Sequence, residues 1–289
     1  MKGSLDGAQR RRCSLTGMVM VPVLGALLTT TCTTGDVPET SLARARQVGL
    51  RVGFAIEPPF AFVDSAGEPR GEAPAMLRRV AGALAIDSLQ WFPLEFDNLI
   101  PALEQGRIDV IASGLFITGE RSRKVRFSRP TACLAPALVV RRDELLDRAS
   151  ACDTCRIAVI RGSVEQRALR VAADTGLTAP DVSTAVAAVK SGDAVALAIS
   201  APTARMIAES DSSLALRDEV PAALRSARGC AALAFRPGDG ALADAFDSVL
   251  AQLVGTESHQ ALVDEYGFTR REIVCAAAAP ADDGVEAAC

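Results

Sequence analysis

The sequence predicts an α/β fold built as two lobes. Short apolar runs alternate with stretches of helical periodicity along most of the 289 residues, and this alternation is typical of strands that feed helices. It occurs in two series of about 100 residues each, which is close to the usual size of a domain. The second series begins after Pro130. A cleft between two such lobes is the default place for a ligand.

The first series opens with a strand at 50–55 (LRVGFA), followed by a helix at 73–85 with apolar residues at the i, i+3, i+4, i+7 spacing. Further strands are expected at 89–94 and 108–112, with a helix between them that begins at Asp97. The second series has the same alternation. Its expected strands are at 137–140, 156–160, 194–199 and 231–235. Its expected helices begin at Ser163 and Pro202 or span 182–190, 241–253 and 258–266.

Composition excludes several classes of function. With a net charge of -4 and an isoelectric point near 5.3, the chain has no basic face for nucleic acid. It contains no phosphate-binding loop, nucleophile elbow, HExxH or paired-carboxylate signature. The sequence therefore offers no catalytic motif of a familiar enzyme class. His259 is the only histidine, and we expect neither a metal nor a cofactor.

The first 32 residues are predicted to be an export signal. Lys2 and the arginines at 10–12 form a positive region, and the apolar stretch at 18–28 is too short to span a membrane as a mature helix. Cys32 lies where a bacterial lipoprotein carries its acylated cysteine, although Thr31 is unusual before it; lipidation and simple cleavage are equal alternatives. Either route places the protein in the periplasm or anchored in the cell envelope.

The cysteines after Cys32 are candidates for disulfides, because disulfides persist outside the cytoplasm. They are Cys133, Cys152, Cys155, Cys230, Cys275 and Cys289. The motif CDTC at 152–155 precedes a strand, whereas a redox CxxC motif follows a strand and opens a helix, which favours a structural bridge or free thiols. The spacing alone leaves the pairing open.

Four segments of the chain resemble the bacterial extracellular solute-binding proteins of family 3. They are LRVGFAIEPPFAFVD, GEAPAMLRRVAGAL, LEFDNLIPALEQGRIDVIASGLFITGERSRKVRFSRPT and AFRPGDGALADAFDSVLAQLVGTESHQALVDEYGFT, and they cover most of residues 48–270. The part at 96–131 is most similar to ectoine and hydroxyectoine binders of ABC importers. The resemblance implies a monomeric binding protein, not an enzyme, that presents a small zwitterion to a membrane permease.

The resemblance also implies the two-lobed type II periplasmic-binding architecture, in which the chain leaves the first lobe, builds the second and returns. The expected limits are 48–132 and 232–270 for the first lobe, 133–231 for the second lobe, 271–289 for a mobile tail, and 131–134 and 230–233 for the two crossings between lobes. Because Cys133 and Cys230 lie on these crossings, we predict a disulfide between them.

Arg121 is the residue expected to bind a ligand carboxylate. It stands three residues after Thr118, a good N-cap, and so lies in the first turn of a helix, where the helix dipole disfavours a cation. A guanidinium matches a carboxylate with two hydrogen bonds, and the resemblance assigns Arg121 this role. In the second lobe Ser163 and Gln166 fit a capping box, and backbone N–H groups from Gly162 onward are expected to contact the anion.

Phe60, Phe96 and Phe116 are expected to surround the cationic end of the ligand. Each follows a strand of the first lobe, and ligands of open α/β sheets bind at the carboxyl ends of strands. Ring faces attract a delocalised cation, and Glu57 supplies opposite charge beside them.

Two positions depart from the family pattern. Val195 stands where amino-acid binders are expected to carry an aspartate for the ligand's α-ammonium group, and Ala132 replaces a frequent tyrosine. Both changes remove contacts from the second lobe, so the ligand or its affinity is expected to differ. Two alternatives stay open, a dehydratase of cyclohexadienyl acids with Glu57 as general acid, and a ligand sensor without transport.

Overall fold

The computed structural model describes residues 40–144, 156–171 and 176–273. Two five-stranded sheets with accompanying helices form the predicted two-lobed α/β fold, which is thereby confirmed. The predicted export signal at 1–32 lies outside the described residues, as do the predicted tail from 274 onward and the cysteines Cys32, Cys152, Cys155, Cys275 and Cys289.

The described strands are short and fall where apolar runs occur in the sequence. In chain order they are β1 (Leu50–Phe54), β2 (Phe62–Val63), β3 (Pro69–Arg70), β4 (Leu89–Pro93), β5 (Val110–Ile111), β6 (Arg126–Phe127), β7 (Ala132–Leu134), β8 (Pro136–Arg141), β9 (Ile157–Ile160), β10 (Leu177–Ala179), β11 (Ala196–Ser200), β12 (Leu214–Arg217), β13 (Gly229–Ala231) and β14 (Ala234–Phe235).

The described helices alternate with these strands. They are α1 (Ser41–Val48), α2 (Glu72–Ala83), α3 (Leu99–Glu104), α4 (Gly119–Ser122), α5 (Val164–Val171), α6 (Val182–Ser191), α7 (Ala201–Ser210), α8 (Gly240–Leu253) and α9 (Glu257–Val263), with 3-10 turns at Phe96–Asn98, Arg142–Glu144, Ala222–Ala227 and Asp264–Tyr266. Within the described ranges, none of these helices combines the length and the apolar composition needed to cross a membrane.

The first sheet has the strand order β4-β1-β5-β14-β6. Strand β1 runs parallel to both of its neighbours, and β14 returns antiparallel between β5 and β6. Apart from Arg51, which is partly exposed, β1 is buried, as expected for a parallel strand covered on both faces. Helix α2 packs against this lobe through its predicted apolar stripe, Leu77, Val80, Ala81 and Leu84.

The second sheet has the strand order β10-β9-β11-β8-β12. Its central strands β9 and β11 are parallel to each other and buried along their whole length. Asp181 caps α6 by accepting the Thr184 N–H at 2.8 Å, and Gly192 ends that helix with a φ of 85°, a conformation that glycine adopts without strain.

The chain passes between the two sheets through β7 and β13. These strands pair antiparallel, with Cys133 opposite Cys230. The two cysteines are joined by a disulfide, so the predicted pairing is confirmed. Both sulfurs lie on the only segments by which the described chain moves from one five-stranded sheet to the other.

The ends of the first lobe differ from the expected limits. The lobe begins before residue 48, because α1 starts at Ser41 and buries Ala45 in the core. At the other end, Ile273 is 1% exposed and belongs to the same core. Glu272 lies 3.6 Å from Arg205 of α7. A tail beginning at 271 is therefore wrong for residues 271–273, which pack against the lobe.

Asp109 joins three separate parts of the first lobe. Its Oδ1 accepts hydrogen bonds from Arg44 at 2.6 Å, from Arg51 at 2.8 Å and from Arg236 at 2.9 Å. Burial alone would raise the pKa of Asp109, but the hydrogen bonds from Arg51, Arg236 and Arg44 hold it well below its usual range. These contacts tie α1 and the segment after β14 to the β1–β5 part of the sheet.

Glu72 is a buried acid with incomplete partners. It is the first residue of α2 and is 1% exposed. A hydrogen bond from Thr131 reaches its carboxyl group, but Oε1 has no partner among the described residues. Burial raises the pKa of Glu72 to about 7, and the Thr131 hydrogen bond opposes the shift only in part.

Glu72 should make the folded state less stable as the pH rises. Between its ordinary pKa of 4.5 and the raised pKa of about 7, the folded protein holds a proton that the unfolded chain has lost. The free energy of unfolding therefore falls by about 1.4 kcal/mol per pH unit, about 3 kcal/mol in total. We predict that Glu72→Gln lacks this part of the decline, measured by denaturant unfolding from pH 4.5 to 7.5. Identical pH slopes in wild type and variant would contradict the prediction.

Candidate functional site

A small cavity lies where the carboxyl ends of strands from both sheets face each other. Its enclosed volume is only about 20 Å³, and about 350 Å³ of empty space is counted when the open mouth is included. The first lobe contributes Glu57, Phe96, Gly114, Phe116 and Arg121. The second lobe contributes Ile160, Ser163, Val164, Glu165, Ile199 and Ser200. Strands β1, β4, β5, β9 and β11 all end here, which is where open α/β sheets bind ligands.

Arg121 reaches from the first lobe to the second. The hydroxyl of Thr118 accepts the Arg121 backbone N–H at 3.2 Å and caps α4, as predicted. The guanidinium donates from Nη1 to the Phe116 carbonyl at 2.7 Å and from Nη2 to the Gly162 carbonyl at 2.8 Å. Its central carbon lies 5.4 Å from the centre of the Phe96 ring, within cation–π distance.

The partly buried guanidinium of Arg121 stays charged at neutral pH. Burial lowers its pKa to about 10, and the nearby carboxyl groups of Glu165 and Glu120 oppose that shift. A pKa near 10 still leaves the group protonated at pH 7. The cavity therefore holds a fixed positive charge in a region shielded from water.

Two glutamates from opposite lobes also line the cavity. Glu57 follows β1, and Thr203 of α7 donates to its Oε1 at 3.4 Å. Glu165 lies in the first turn of α5 and is 5% exposed; its carboxyl group accepts hydrogen bonds from its own backbone N–H and from the Ser163 hydroxyl. Burial raises the pKa of both glutamates, to about 8 for Glu57, whose shift the Glu165 charge increases.

Two ion pairs and one hydrogen bond from an arginine to a backbone carbonyl also join the lobes. Arg161, which follows β9, lies 3.8 Å from Glu95 of the first lobe. Arg167 of α5 lies 3.2 Å from Glu120. Arg205 of α7 donates to the Gly267 carbonyl at 2.8 Å. In each case the cation belongs to the second lobe. Exposed pairs of this kind contribute only about 0 to 1 kcal/mol each, so they guide closure more than they hold it.

A wider groove opens beside the cavity. Phe96 and Arg121 are among the residues that line both spaces. The groove has about 1150 Å³ of empty space that includes open solvent, and its walls carry charges of both signs, such as Glu104 and Lys124. The smaller cavity is taken as the candidate site, because Glu57 and Glu165 line it and do not line the groove. Among the residues that the structure describes, no three His, Cys, Asp or Glu side chains are grouped to hold a metal ion.

Residues 50–269 match the family of bacterial extracellular solute-binding proteins, family 3. The chain belongs to this family. A probable amino-acid ABC transporter periplasmic-binding protein of Sinorhizobium fredii is 28% identical over 78% of each chain. The hydroxyectoine complex of EhuB superposes with a TM-score of 0.71 at 25% identity, covering 83% of this chain and 98% of that one. The ancestral amino acid-binding protein AncCDT-1, a precursor of cyclohexadienyl dehydratase, gives a TM-score of 0.69 at 25% identity over 78% and 99%.

This family 3 protein does not form the expected cage of three phenylalanines. Phe60 is 0% exposed and packs edge-on against Phe268 with ring centres 5.2 Å apart. It lies behind Gly114, where a Cβ atom would be 2.7 Å from the Phe60 ring, and it is not among the cavity-lining residues. Phe96 and Phe116 do line the cavity, but Arg121 lies over the ring of Phe96.

The second-lobe loop in this family 3 protein forms only the Ser163 half of the predicted capping box, because the Gln166 side chain bonds to Gly162 and not to Ser163. The Ser163 hydroxyl accepts the Gln166 N–H at 3.1 Å, and Gln166 Oε1 accepts the Gly162 N–H at 2.8 Å. The Ser163 N–H donates to the Ile160 carbonyl. These N–H groups, expected to contact a ligand anion, are therefore already used within the loop.

Two positions of the second lobe differ from expectation. Val195 precedes β11 and does not line the cavity, whereas Ile199 and Ser200 at the opposite end of that strand do. Val195 is therefore the wrong position to compare with a ligand-binding aspartate. Ala132 is buried in β7, away from the cavity lining, so its small side chain leaves the site unchanged.

Glu165 and Ser200 are site residues that the sequence did not single out. An acidic residue in the first turn of a helix is ordinary, because it favours the helix dipole, so Glu165 carried no distinguishing signal. Ser200 ends a buried strand that was predicted one residue shorter, at 194–199. The strand-end rule that located Glu57 would have located Ser200 as well.

Proposed function

We propose that this family 3 protein binds a small zwitterion, an ectoine-like compatible solute or an amino acid, between its lobes and presents it to the permease of an ABC importer. The observation that carries the proposal is the charged guanidinium of Arg121, which bridges the two lobes, is partly buried and has hydrogen-bond donors that remain unused. The relatives support it, since one is named as an amino-acid transporter component and another is bound to hydroxyectoine.

Arg121 has the geometry to hold a carboxylate. A guanidinium carries five N–H donors, and hydrogen bonds to described residues use two of them, to Phe116 and Gly162. The remaining donors suit a carboxylate, which binds an arginine through two parallel hydrogen bonds. Apolar walls from Ile160 and Ile199 would strengthen that pair by excluding water.

Binding would be coupled to closure of the lobes. The bond from Arg121 to Gly162 and the bond from Thr203 to Glu57 join opposite lobes, so a ligand held by Arg121 and Glu165 adds contacts that exist only when the lobes are together. Such contacts shift the population toward the closed state. We place the hinge at β7 and β13, because the chain crosses between lobes there.

We further propose that the protein acts outside the cytoplasm as a monomer. The signal-like sequence at 1–32 and the family name both support export. Cys32 would serve as a lipid anchor if it is acylated. The disulfide between Cys133 and Cys230 is compatible with an oxidising compartment.

A thermal-shift screen of ectoine, hydroxyectoine, betaines and amino acids tests the proposed function, followed by calorimetric titration with the best ligand. Arg121→Ala should weaken binding by about 3 kcal/mol or more, because it leaves a buried carboxylate unpaired. Arg121→Lys should lose less, because it keeps the charge but not the paired hydrogen bonds.

Arg123→Ala provides the matched control for this titration. Arg123 directly follows α4, is exposed, and donates to the Gly119 carbonyl, so its loss should leave affinity unchanged. Unchanged affinity in Arg121→Ala, with the fold intact by circular dichroism, would contradict the role of Arg121. If no compound in the screen stabilises the protein, the proposed function itself fails.

A second candidate is a dehydratase acting on cyclohexadienyl acids. It is favoured by Glu165, a buried carboxyl group with a raised pKa in the same cavity as Arg121, because a general acid must hold its proton near neutral pH. Glu57 is a second such group. In this reading Arg121 holds a substrate carboxylate while a glutamate protonates the ring hydroxyl. The C–O bond breaks and water leaves, while the ring carboxylate departs as CO2 and the electrons of its bond to the ring complete the aromatic system.

Incubation with a cyclohexadienyl acid distinguishes the two candidates. The dehydratase reading expects an increase in aromatic absorbance at a rate proportional to protein concentration, and loss of that activity in Glu165→Gln, which keeps the shape of the side chain but cannot act as an acid. A rate equal to that of the protein-free solution would leave the binding protein as the function.

A further inference from the structure

The cavity is lined by more acidic than basic side chains. Of the residues that line it, three are ionisable, namely Glu57, Glu165 and Arg121. The others are apolar or uncharged. With all three groups ionised, the lining carries a net charge of about -1, counting one cation against two carboxylates.

Neither glutamate has a cation as its direct partner. Thr203 donates to Glu57, and Ser163 and a backbone N–H donate to Glu165. Within the described part of the chain, Arg121 makes its hydrogen bonds to backbone carbonyls and forms no ion pair within 4.0 Å with either carboxyl group. The two acids therefore face the cavity with hydrogen bonds, and the one charge of Arg121 acts on both of them without forming an ion pair with either.

An unpaired carboxylate in such a place is costly. Removing an ion from water costs several kcal/mol unless a counter-charge replaces the solvent. Burial raises the pKa of both Glu57 and Glu165, so the empty site reduces this cost by keeping protons. A ligand that brings positive charge between the two lobes would replace those protons.

A neutral zwitterion cannot balance all three groups. Its carboxylate would pair with Arg121, and its single cation would neutralise one glutamate only. A ligand with one carboxylate and two cationic groups would leave no charge uncompensated. Because Glu57 and Glu165 belong to opposite lobes, its two cations would also contact both sides of the cleft.

Resting on the proposed function, we propose that the preferred ligand is a basic amino acid with a net charge of +1, whose carboxylate binds Arg121 and whose two cationic groups face Glu57 and Glu165. The second lobe supports this arrangement. The N-terminus of α5, expected to attract an anion, already contacts the Glu165 carboxyl group and thus presents an acid to the ligand.

Matched ligand pairs test this proposal by calorimetric titration at pH 7.5. L-arginine and L-citrulline have nearly the same shape, as do L-ornithine and L-glutamine, but only the first of each pair carries the second cation. We expect at least one basic member to bind about tenfold or more tightly than its neutral partner.

Variants identify the source of the preference. Glu57→Gln and Glu165→Gln keep hydrogen-bonding side chains of the same size, and each should reduce the ratio of affinities about tenfold. Glu72→Gln is the matched control, because it removes a buried carboxyl group that lies outside the cavity, and its ratio should equal that of the wild type.

Proton release gives a second readout. Titration in two buffers with different ionisation enthalpies should show that the basic ligand expels on the order of one proton, because Glu57 has a pKa of about 8. The charged groups that act on Glu57 are Glu165 and Arg121. Release should be smaller in Glu57→Gln.

The outcomes separate the charge preference from the proposed function. Equal or tighter binding of the neutral partners, or of ectoine, would overturn the preference for net positive charge and leave the binding protein intact. A preference that persists unchanged in both glutamine variants would also overturn it. Absence of binding by every zwitterion tested would overturn both.

Discussion

The site depends on one guanidinium held between the lobes. Arg121 is the only cation among the residues that line the cavity, and it extends from the first lobe to the Gly162 carbonyl of the second. The Phe116 carbonyl and the face of Phe96 fix its direction. A charge in that place needs partners of opposite sign. The two glutamates nearby and the strand ends that surround them are arranged about this cation.

The arrangement of the two lobes places this charge where a ligand can bind between them. The parallel strands β1, β4, β5, β9 and β11 end at one cleft, while β7 and β13 connect the lobes and are joined by the disulfide between Cys133 and Cys230. In the proposed closure, motion about these two short strands opens the cleft. Ion pairs such as Arg167 with Glu120 then favour approach of the lobes, and the ligand completes the closed state.

Much of this could be predicted from the sequence because the signals were local. Apolar runs located β1, β9 and β11, and the Thr118 cap located Arg121 at the start of its helix. Phe60 was misplaced because a ring at a strand end has the same local signal whether it faces a ligand or packs behind Gly114. Glu165 was missed because its role depends on its position near Glu57 and Arg121 in the fold, and both residues are more than 40 positions away along the chain. Only the folded chain brings such groups together.

A crystal structure of the complex with the tightest ligand from the screen tests the central role of Arg121 most directly. The ligand carboxylate should lie between the two lobes, with its oxygens about 2.7 to 2.9 Å from two nitrogens of Arg121. A ligand carboxylate bound instead in the wider groove, beside Lys124 and Arg170, with Arg121 still donating only to the Phe116 and Gly162 carbonyls, would contradict that role.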